Sequence, residues 1–350
     1  MSQKTTRFLI AASGTGGHLF PALAVAQHLE GCDIEWLGVP NRLEQTLVPK
    51  QYRLHTIPLE GFQTRFGLKT LEILGRFGNS ILSVRNLLSK QKIDAVFTTG
   101  GYIAAPAILA ARLAGIPVIL HESNALPGKV TRWFAPSCTT VAIGFKETAE
   151  RLSGNPIWVG TPVRPNFLTP QSLDLSIPEN APLIVVMGGS QGAVAVNELV
   201  RSSAADWFAE GAYIVHLTGT NDPDAATLQH PQYFSLPFYE NMAGLLQRAD
   251  LAISRAGASA LAELAVTGTP GILIPYPYAA EDHQAYNASV FARAGAGVMF
   301  RQEQLSVPIL NEEVLALLRD RDRLANMGKK AASLNIPDSA ERLAALLRKP

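Results

Sequence analysis

Apolar residues along this chain gather in short unbroken runs, and helical stretches separate the runs. Runs of strand length fall at Arg7–Ser13, Ile34–Val39, Ala95–Thr98, Val118–His121 and Thr140–Phe145. Strands alternating with helices predict a parallel sheet covered on both faces, whose strands read as continuous apolar runs. Between Pro162 and Pro182 the pattern lapses into a stretch with five prolines. It then restarts with runs at Leu183–Met187, Tyr213–Leu217, Leu251–Ser254 and Gly271–Pro275, and from Asn311 the tail is helical in composition. The expected fold class is therefore α/β, with two doubly wound Rossmann-like domains facing a cleft. The expected divisions are 1–161 for the first domain, 162–181 for a linker and 182–350 for the second domain with its helical tail. The repeat is one of pattern, because residue identity between the halves is slight.

Composition narrows the class. The 350 residues are 47% hydrophobic and only 17% charged, which excludes a disordered or fibrous chain. A formal net charge of +1 gives no whole-molecule attraction to nucleic acid, and no nucleic-acid partner is expected. Two cysteines, Cys32 and Cys138, make neither a disulfide framework nor a four-ligand zinc site. Phe8–Ala12 is too short for a signal peptide. The most apolar stretch, Tyr102–Leu120, is cut by Pro106, Gly115 and Pro117 and carries Arg112, so it falls short of the ~20 residues of a spanning helix. A cytoplasmic protein able to touch a membrane is expected.

Each half opens with a glycine-rich turn between strand and helix, Gly14-Thr15-Gly16-Gly17-His18 in the first and Gly188-Gly189-Ser190-Gln191-Gly192 in the second. Such a turn lets a ligand approach the backbone and points helix N–H groups, with about half a positive charge of dipole, at an anion. The first turn departs from the dinucleotide fingerprint, since Leu19 stands at the third glycine position, and the second lacks the lysine of a P-loop. Packing alone explains one such turn as well as binding does. Two turns heading two similar domains favour a nucleotide diphosphate held between lobes. His18, in the first helical turn, has the intrinsic pKa of about 6.5 suited to a base near neutral pH. A second small-residue turn runs from Ser254 through Ala258, Ser259, Ala260, Leu261 and Ala262 to Glu263, whose carboxylate is placed to bind ribose hydroxyls. Pro275–Tyr278 and Glu281–Asn287 read as a ligand loop.

Eight motifs in order carry a resemblance. They are Gly-Thr-Gly-Gly-His at 14–18, Gly-Gly-Tyr at 100–102, His-Glu-Ser-Asn at 121–124 and Pro-Val-Arg at 162–164. Gly-Gly-Ser-Gln-Gly-Ala at 188–193, Ser-Arg-Ala-Gly-Ala at 254–258, Asp-His-Gln at 282–284 and Ile-Pro-Asp-Ser-Ala-Glu-Arg at 336–342 follow. Together they resemble the MurG family, bacterial transferases that convert lipid I to lipid II in peptidoglycan synthesis, over nearly the whole chain. The resemblance implies a GT-B fold, an acceptor handled by the first domain and UDP-N-acetylglucosamine held mainly by the second. It also implies an inverting β1→4 transfer. By motif, Thr15, Gly16 and Gly17 face the donor's phosphates or sugar, Asn124 and Gln284 face the sugar, and Tyr102, Leu261 and Ala262 join the substrate-binding set. Ser190 and the Ala258–Ala260 turn meet the diphosphate, Glu263 the ribose and Arg164 the nucleotide side, while Tyr239 borders the uracil through its backbone. Ser123 stands where the family usually has Gln, and Thr161 where it has Asn.

Inversion requires one in-line displacement with a base for the acceptor hydroxyl. His18 is the leading candidate, with Glu122 and His121 as rivals. No tightly bound cofactor or catalytic metal is expected. Asp222-Pro223-Asp224 and Asp320-Arg321-Asp322 read as a capping and a solvated string, and a divalent cation enters only as a stimulant without a protein site. Between Gly61 and Lys92, Arg65, Lys69, Arg76, Arg85, Lys90 and Lys92 face one acid, Glu72, and alternate with apolar residues including Phe62, Phe66, Leu74 and Leu82. This Phe62–Lys92 segment suits an anionic membrane surface, which places the chain peripherally on the cytoplasmic face of the bacterial inner membrane. The rivals are a UDP-N-acetylglucosamine 2-epimerase, which needs no lipid, and a non-catalytic nucleotide-sugar-binding subunit. The poor fingerprint disfavours an NAD-dependent dehydrogenase.

Overall fold

The computed structural model describes residues 5–59, 68–189 and 192–350, with side chains from 74 onward in the helix that begins at 68. Phe62, Arg65 and Phe66 of the basic segment and Ser190 of the second glycine turn lie outside the described residues, as do the side chains of Leu68, Lys69, Leu71, Glu72 and Ile73. The chain forms two compact units, Met1–Arg164 with Ile336–Pro350, and Pro165–Asn335.

The first unit runs β1 (Arg7–Ala11), α1 (Gly16–Gln27), β2 (Asp33–Gly38), α2 (Glu44–Leu47), β3 (Arg53–Thr56), α3 (Leu68–Gln91), β4 (Ala95–Thr98) and α4 (Ala104–Leu113). It continues through β5 (Val118–Glu122), α5 (Lys129–Phe134), β6 (Thr140–Ile143) and β7 (Ile157–Trp158). Its seven strands are all parallel, in the order β3-β2-β1-β4-β5-β6-β7. Successive strands lie next to each other only where the chain winds outward in one direction. The order reverses between β1 and β4, and their neighbouring C-terminal ends mark the switch point where ligands bind in such sheets. Phe8, Ile10 and Trp36 face one side of the sheet, while Leu9, Leu37 and Leu120 face the other.

The second unit repeats the scheme with β8 (Leu183–Met187), α6 (Val194–Ala209), β9 (Tyr213–Leu217), β10 (Tyr233–Leu236), α7 (Met242–Arg248) and β11 (Leu251–Ser254). There follow α8 (Ala258–Thr267), β12 (Gly271–Leu273), α9 (His283–Arg293), β13 (Gly297–Met299), α10 (Val307–Arg319) and α11 (Arg321–Ala332). Its six parallel strands lie in the order β10-β9-β8-β11-β12-β13, with the switch point between β8 and β11.

Two divisions differ from the sequence expectation. The proline-rich stretch expected as a linker packs into the second unit from Pro165 onward, with Phe167 buried. Gln247 of α7 donates to the carbonyls of Phe167 and Thr169, and Arg248 donates to those of Pro178, Glu179 and Ala181. These side chains satisfy carbonyls that no strand or helix pairs, and so an irregular segment folds as part of a domain. The last helix, α12 (Ser339–Arg348), belongs to the first unit although the expected boundary counted it with the second. It lies on α1 and buries Leu343, Ala344 and Leu347 in the same cluster as Phe8, Leu19 and Trp36. Gly160 sits at φ +80° against Ile336, where a Cβ would come within 2.6 Å of the isoleucine, so only glycine admits this crossing.

Because Leu343 is fully buried, Leu343→Ala removes about 3 kcal/mol from the first unit. Urea denaturation followed by tryptophan fluorescence checks this, and an unchanged midpoint means that the tail is not integral to that unit.

Candidate active site

Three loops meet at the C-terminal ends of β1, β4 and β5. Thr15 caps α1 in an extended conformation, which places Gly16, Gly17 and His18 in the first helical turn. The His18 Nδ1 lies 2.8 Å from the carbonyl oxygen of Thr99, and the Thr99 hydroxyl donates back to the His18 carbonyl at 3.0 Å. One residue earlier, the Thr98 hydroxyl donates to Ala11, tying β4 to β1 below the turn. A carbonyl only accepts, so Nδ1 carries the proton and the neutral ring keeps its lone pair on Nε2. Gly101 borders Nε2, a Cβ there lying 3.5 Å from it, and Tyr102 beside it is half exposed. His18 is thus oriented by a backbone acceptor, with Nε2 beside Gly101.

The two rival bases have other occupations. Glu122 ends β5 almost fully buried, and its carboxylate accepts four hydrogen bonds. Oε1 receives the Asn124 backbone N–H and side-chain amide, each at 3.0 Å, while Oε2 receives Gly128 N–H at 3.0 Å and the Thr131 hydroxyl at 2.6 Å. Four donors fill a carboxylate's acceptor capacity and leave none for a substrate hydroxyl. Glu122 shapes the loop from 123 to 131 and holds Asn124. His121 is wholly buried, with Nε2 donating to the Gly160 carbonyl at 2.8 Å and Nδ1 facing the Ser123 hydroxyl at 3.3 Å. Burial draws its pKa down to about 4 against a weaker pull from that hydrogen bond and from Glu122. Neither rival suits the role of base.

In the second unit Gly188–Gly192 follows β8, and the Ala258 turn follows β11 at the same switch point. Gly192, at φ +74°, packs where a Cβ would strike the Thr218 carbonyl at 2.3 Å, so the turn is moulded on the loop after β9. Ala258, Ser259 and Ala260 form the first turn of α8, at the positive end of the helix dipole, which suits a phosphate. Leu261 follows, with its side chain buried and its N–H bonded to the Gly257 carbonyl. Ala262 and Glu263 are half-buried one turn further on. Gln284 commits its side-chain oxygen to the amides of Ala256 (3.2 Å) and Tyr276 (2.9 Å), leaving Nε2 as the donor for a ligand. Arg255 donates to the Ile274 and Pro275 carbonyls and to Gln302. These acceptors are neutral, and the turn therefore retains a positive charge. Elsewhere, the Arg164 guanidinium lies 4.9 Å over the Phe20 ring in the first unit, and the Tyr239 hydroxyl donates to Asp174 in the second.

Sequence reasoning missed the supports. Asp282 and Glu281 both adopt left-handed backbone, rare for residues with side chains, and Arg301 grips Asp282 with two bonds of 2.8 and 2.7 Å. Asn287, wholly buried in α9, donates to the Ala256 carbonyl. Behind the second glycine turn, Asn197 donates to Thr218 O and Asp222, Arg201 pairs with Asp222 at 2.6 Å, and His216 bridges Asn197 to Tyr233. Asp222 is thus a buried ion-pair partner and not a helix cap, whereas Asp320 does cap α11 through Arg323 N–H. Cys138 is a packed thiol that burial pushes up to about 12. Among the described residues no group of three His, Cys, Asp or Glu is disposed to hold a metal ion.

Two doubly wound units, each with a phosphate-type turn at its switch point, form the architecture of GT-B glycosyltransferases. The family models agree: the glycosyltransferase family 28 N-terminal domain matches residues 8–143, and the family 28 C-terminal domain matches residues 183–343. The chain belongs to glycosyltransferase family 28. It is 64% identical, over 99% of its length and 97% of the relative's, to a Gloeothece citriformis protein. That protein is named UDP-N-acetylglucosamine–N-acetylmuramyl-(pentapeptide) pyrophosphoryl-undecaprenol N-acetylglucosamine transferase. A protein of the same name from Microcystis aeruginosa is also 64% identical, over 100% of this chain and 98% of that one. The crystal structure of Acinetobacter baumannii MurG superimposes with a TM-score of 0.82 at 31% identity, covering 99% of this chain and 100% of that one. A Listeria monocytogenes structure described as a putative UDP-N-acetylglucosamine 2-epimerase superimposes with a TM-score of 0.70, covering 99% of this chain and 96% of that one. At 14% identity it shares the fold alone.

His216 is buried like His121, and desolvation likewise lowers its pKa from 6.5 to about 4. Both folded-state values lie below the unfolded one, so their stabilisation is complete above pH 6.5 and is lost as pH falls towards about 4. Each is worth about 3 kcal/mol. The denaturation midpoint is expected to fall across that window, and His216→Gln to flatten the slope. A midpoint constant through the window removes this account.

Proposed function

We propose that this chain transfers N-acetylglucosamine from UDP-N-acetylglucosamine to the 4-hydroxyl of the muramoyl sugar of lipid I, with inversion, giving lipid II. The observation that carries the reading is full-length identity of up to 64% to proteins bearing that transferase name, and the loop geometry suits the chemistry. In one displacement the acceptor oxygen bonds to C1 of the sugar as the bond to the UDP oxygen breaks, and the hydroxyl proton passes to His18 Nε2. The hydrogen bond from Nδ1 to Thr99 O keeps the ring in the receptive tautomer and stabilises the imidazolium that forms. The amides heading α8, the second glycine turn with Ser190 and the Arg255 charge receive the negative charge growing on the diphosphate. Preorganised donors of this kind are worth roughly 3–4 kcal/mol each. Glu263 takes the ribose, Asn124 and Gln284 the sugar, Tyr239 and Arg164 the nucleotide side, and Thr15, Gly16, Gly17 and Tyr102 line the first unit's mouth. The epimerase reading draws support from the fold alone.

The lipid-linked acceptor places the enzyme peripherally at the cytoplasmic face of the inner membrane. No helix among the described residues is long and apolar enough to cross a bilayer. In the described part of α3, Ser80, Val84 and Leu88 are buried, while Leu74 (53%) and Leu82 (55%) are exposed beside Arg76, Arg85 and Lys90. An apolar stripe flanked by cations suits anionic headgroups.

Purified protein incubated with UDP-N-acetylglucosamine and a short-chain lipid I analogue, without added metal, is expected to release UDP and form the disaccharide. His18→Ala is expected to lower kcat by roughly a hundred-fold or more while donor binding persists. Donor binding without transfer by the unaltered protein sinks the assignment. Leu74→Glu combined with Leu82→Glu is expected to weaken binding to phosphatidylglycerol vesicles at least about ten-fold and to leave turnover of the soluble analogue unchanged. Undiminished vesicle binding moves the docking surface elsewhere.

A further inference from the structure

Glu44, which no motif singled out, opens α2 in the loop after β2 and is completely buried. Among the described residues no Lys or Arg pairs with it. Its carboxylate accepts three hydrogen bonds: Oε1 takes the Ser13 hydroxyl at 2.5 Å and Val39 N–H at 2.7 Å, and Oε2 takes Gly14 N–H at 3.3 Å. Its neighbour Gly38 has no room for a Cβ, which would meet Glu44 Cγ at 2.7 Å and Oε1 at 2.8 Å. The carboxylate is therefore confined between the end of β2 and the first glycine turn. Ser13 and Gly14 open the turn after β1, the place where a nucleotide-binding turn aims its donors at a ligand anion. Here they are aimed at an anion belonging to the chain. Gly14, at φ +100°, then directs Thr15 to His18 towards β4, where Nδ1 finds Thr99 O.

We propose that Glu44 is a positioning residue for transfer, a built-in anion that takes the place of a phosphate in the first turn and sets the direction of His18. A buried charge left partly unsatisfied is costly, so the carboxylate holds Ser13 and Gly14 in place. The first turn's leading donors are thereby occupied by a side chain of the protein itself.

The test compares Ser13→Ala, Ser13→Thr and Glu44→Gln in the full chain. In Glu44→Gln the amide nitrogen stands opposite Gly14 N–H, donor against donor, with the side-chain shape retained. With histidine ¹⁵N-labelled and the His18 signals assigned by their loss in His18→Gln, the imidazole resonances of His18 are expected to shift in Ser13→Ala and Glu44→Gln. They are expected to return in Ser13→Thr, which restores a hydroxyl. In kinetics kcat falls about ten-fold, with the KM for UDP-N-acetylglucosamine within about two-fold and the melting temperature of Ser13→Ala nearly unchanged. Unmoved His18 resonances in folded Ser13→Ala overturn the proposal, as does a raised donor KM with kcat intact. The kinetic arm rests on the reading of His18 as base. Shifted resonances with undiminished kcat keep Glu44 as the residue that positions His18 and remove His18 from the base role. Should Glu44→Gln fail to fold, Ser13→Ala with its Ser13→Thr rescue decides alone.

Discussion

Everything in this protein that bears on chemistry hangs from the reversal of strand order in a parallel sheet. Connections from β1 to β2 and from β3 to β4 leave on opposite sides, so the C-terminal ends of β1 and β4 have no crossover covering them. In the first unit that gap gathers His18, Thr99, Gly101 and the Glu122 loop, and in the second it gathers Gly192, Ala258, Gln284 and Arg255. The same backbone geometry, used twice, makes two places where polar groups converge at the end of an apolar sheet.

What distinguishes the two gaps is the way their polar groups are satisfied. Buried donors and acceptors must find partners, and the loops find them in carboxylates and amides reached from other elements. Glu44 and Glu122 collect donors from the loops of the first unit. Asn197, Asp222, Arg201 and His216 form the equivalent support behind the second glycine turn. The first unit thus fills its turn with its own acidic side chain and leaves an imidazole nitrogen open. In the second, the Arg255 guanidinium faces neutral acceptors beside the N-terminus of α8.

The fold's core was legible in the sequence, and its margins were not. The nine strands expected from apolar runs are β1, β2, β4, β5, β6, β8, β9, β11 and β12, all of which form. The four unforeseen strands, β3, β7, β10 and β13, are the edges of the two sheets. An edge strand has a neighbour on one side only and buries less, as the partly exposed Ile157–Trp158 and Arg53–Thr56 do, so it lacks the continuous apolar run that reveals a central one. Likewise the proline-rich stretch reads as a linker because its bonds come from Gln247 and Arg248, some seventy residues away in sequence.

The sequence by itself determined the α/β class, the repeated halves, the glycine turns and His18 beside the first of them, because these depend on local spacing and on residue types with narrow conformational uses. Only the tertiary structure decided which carboxylates and imidazoles were already taken. Glu122 and His121 read as rivals to His18 until their partners at Thr131 and Gly160 appear, and Glu44 carries no mark at all until Ser13 and Gly14 are found against it. The same holds for α12, whose Leu343 and Leu347 complete a core begun by Phe8 at the other end of the chain. A residue's chemical availability is set by what surrounds it in space, and hydrogen-bond partners distant in sequence leave no periodic trace along the chain.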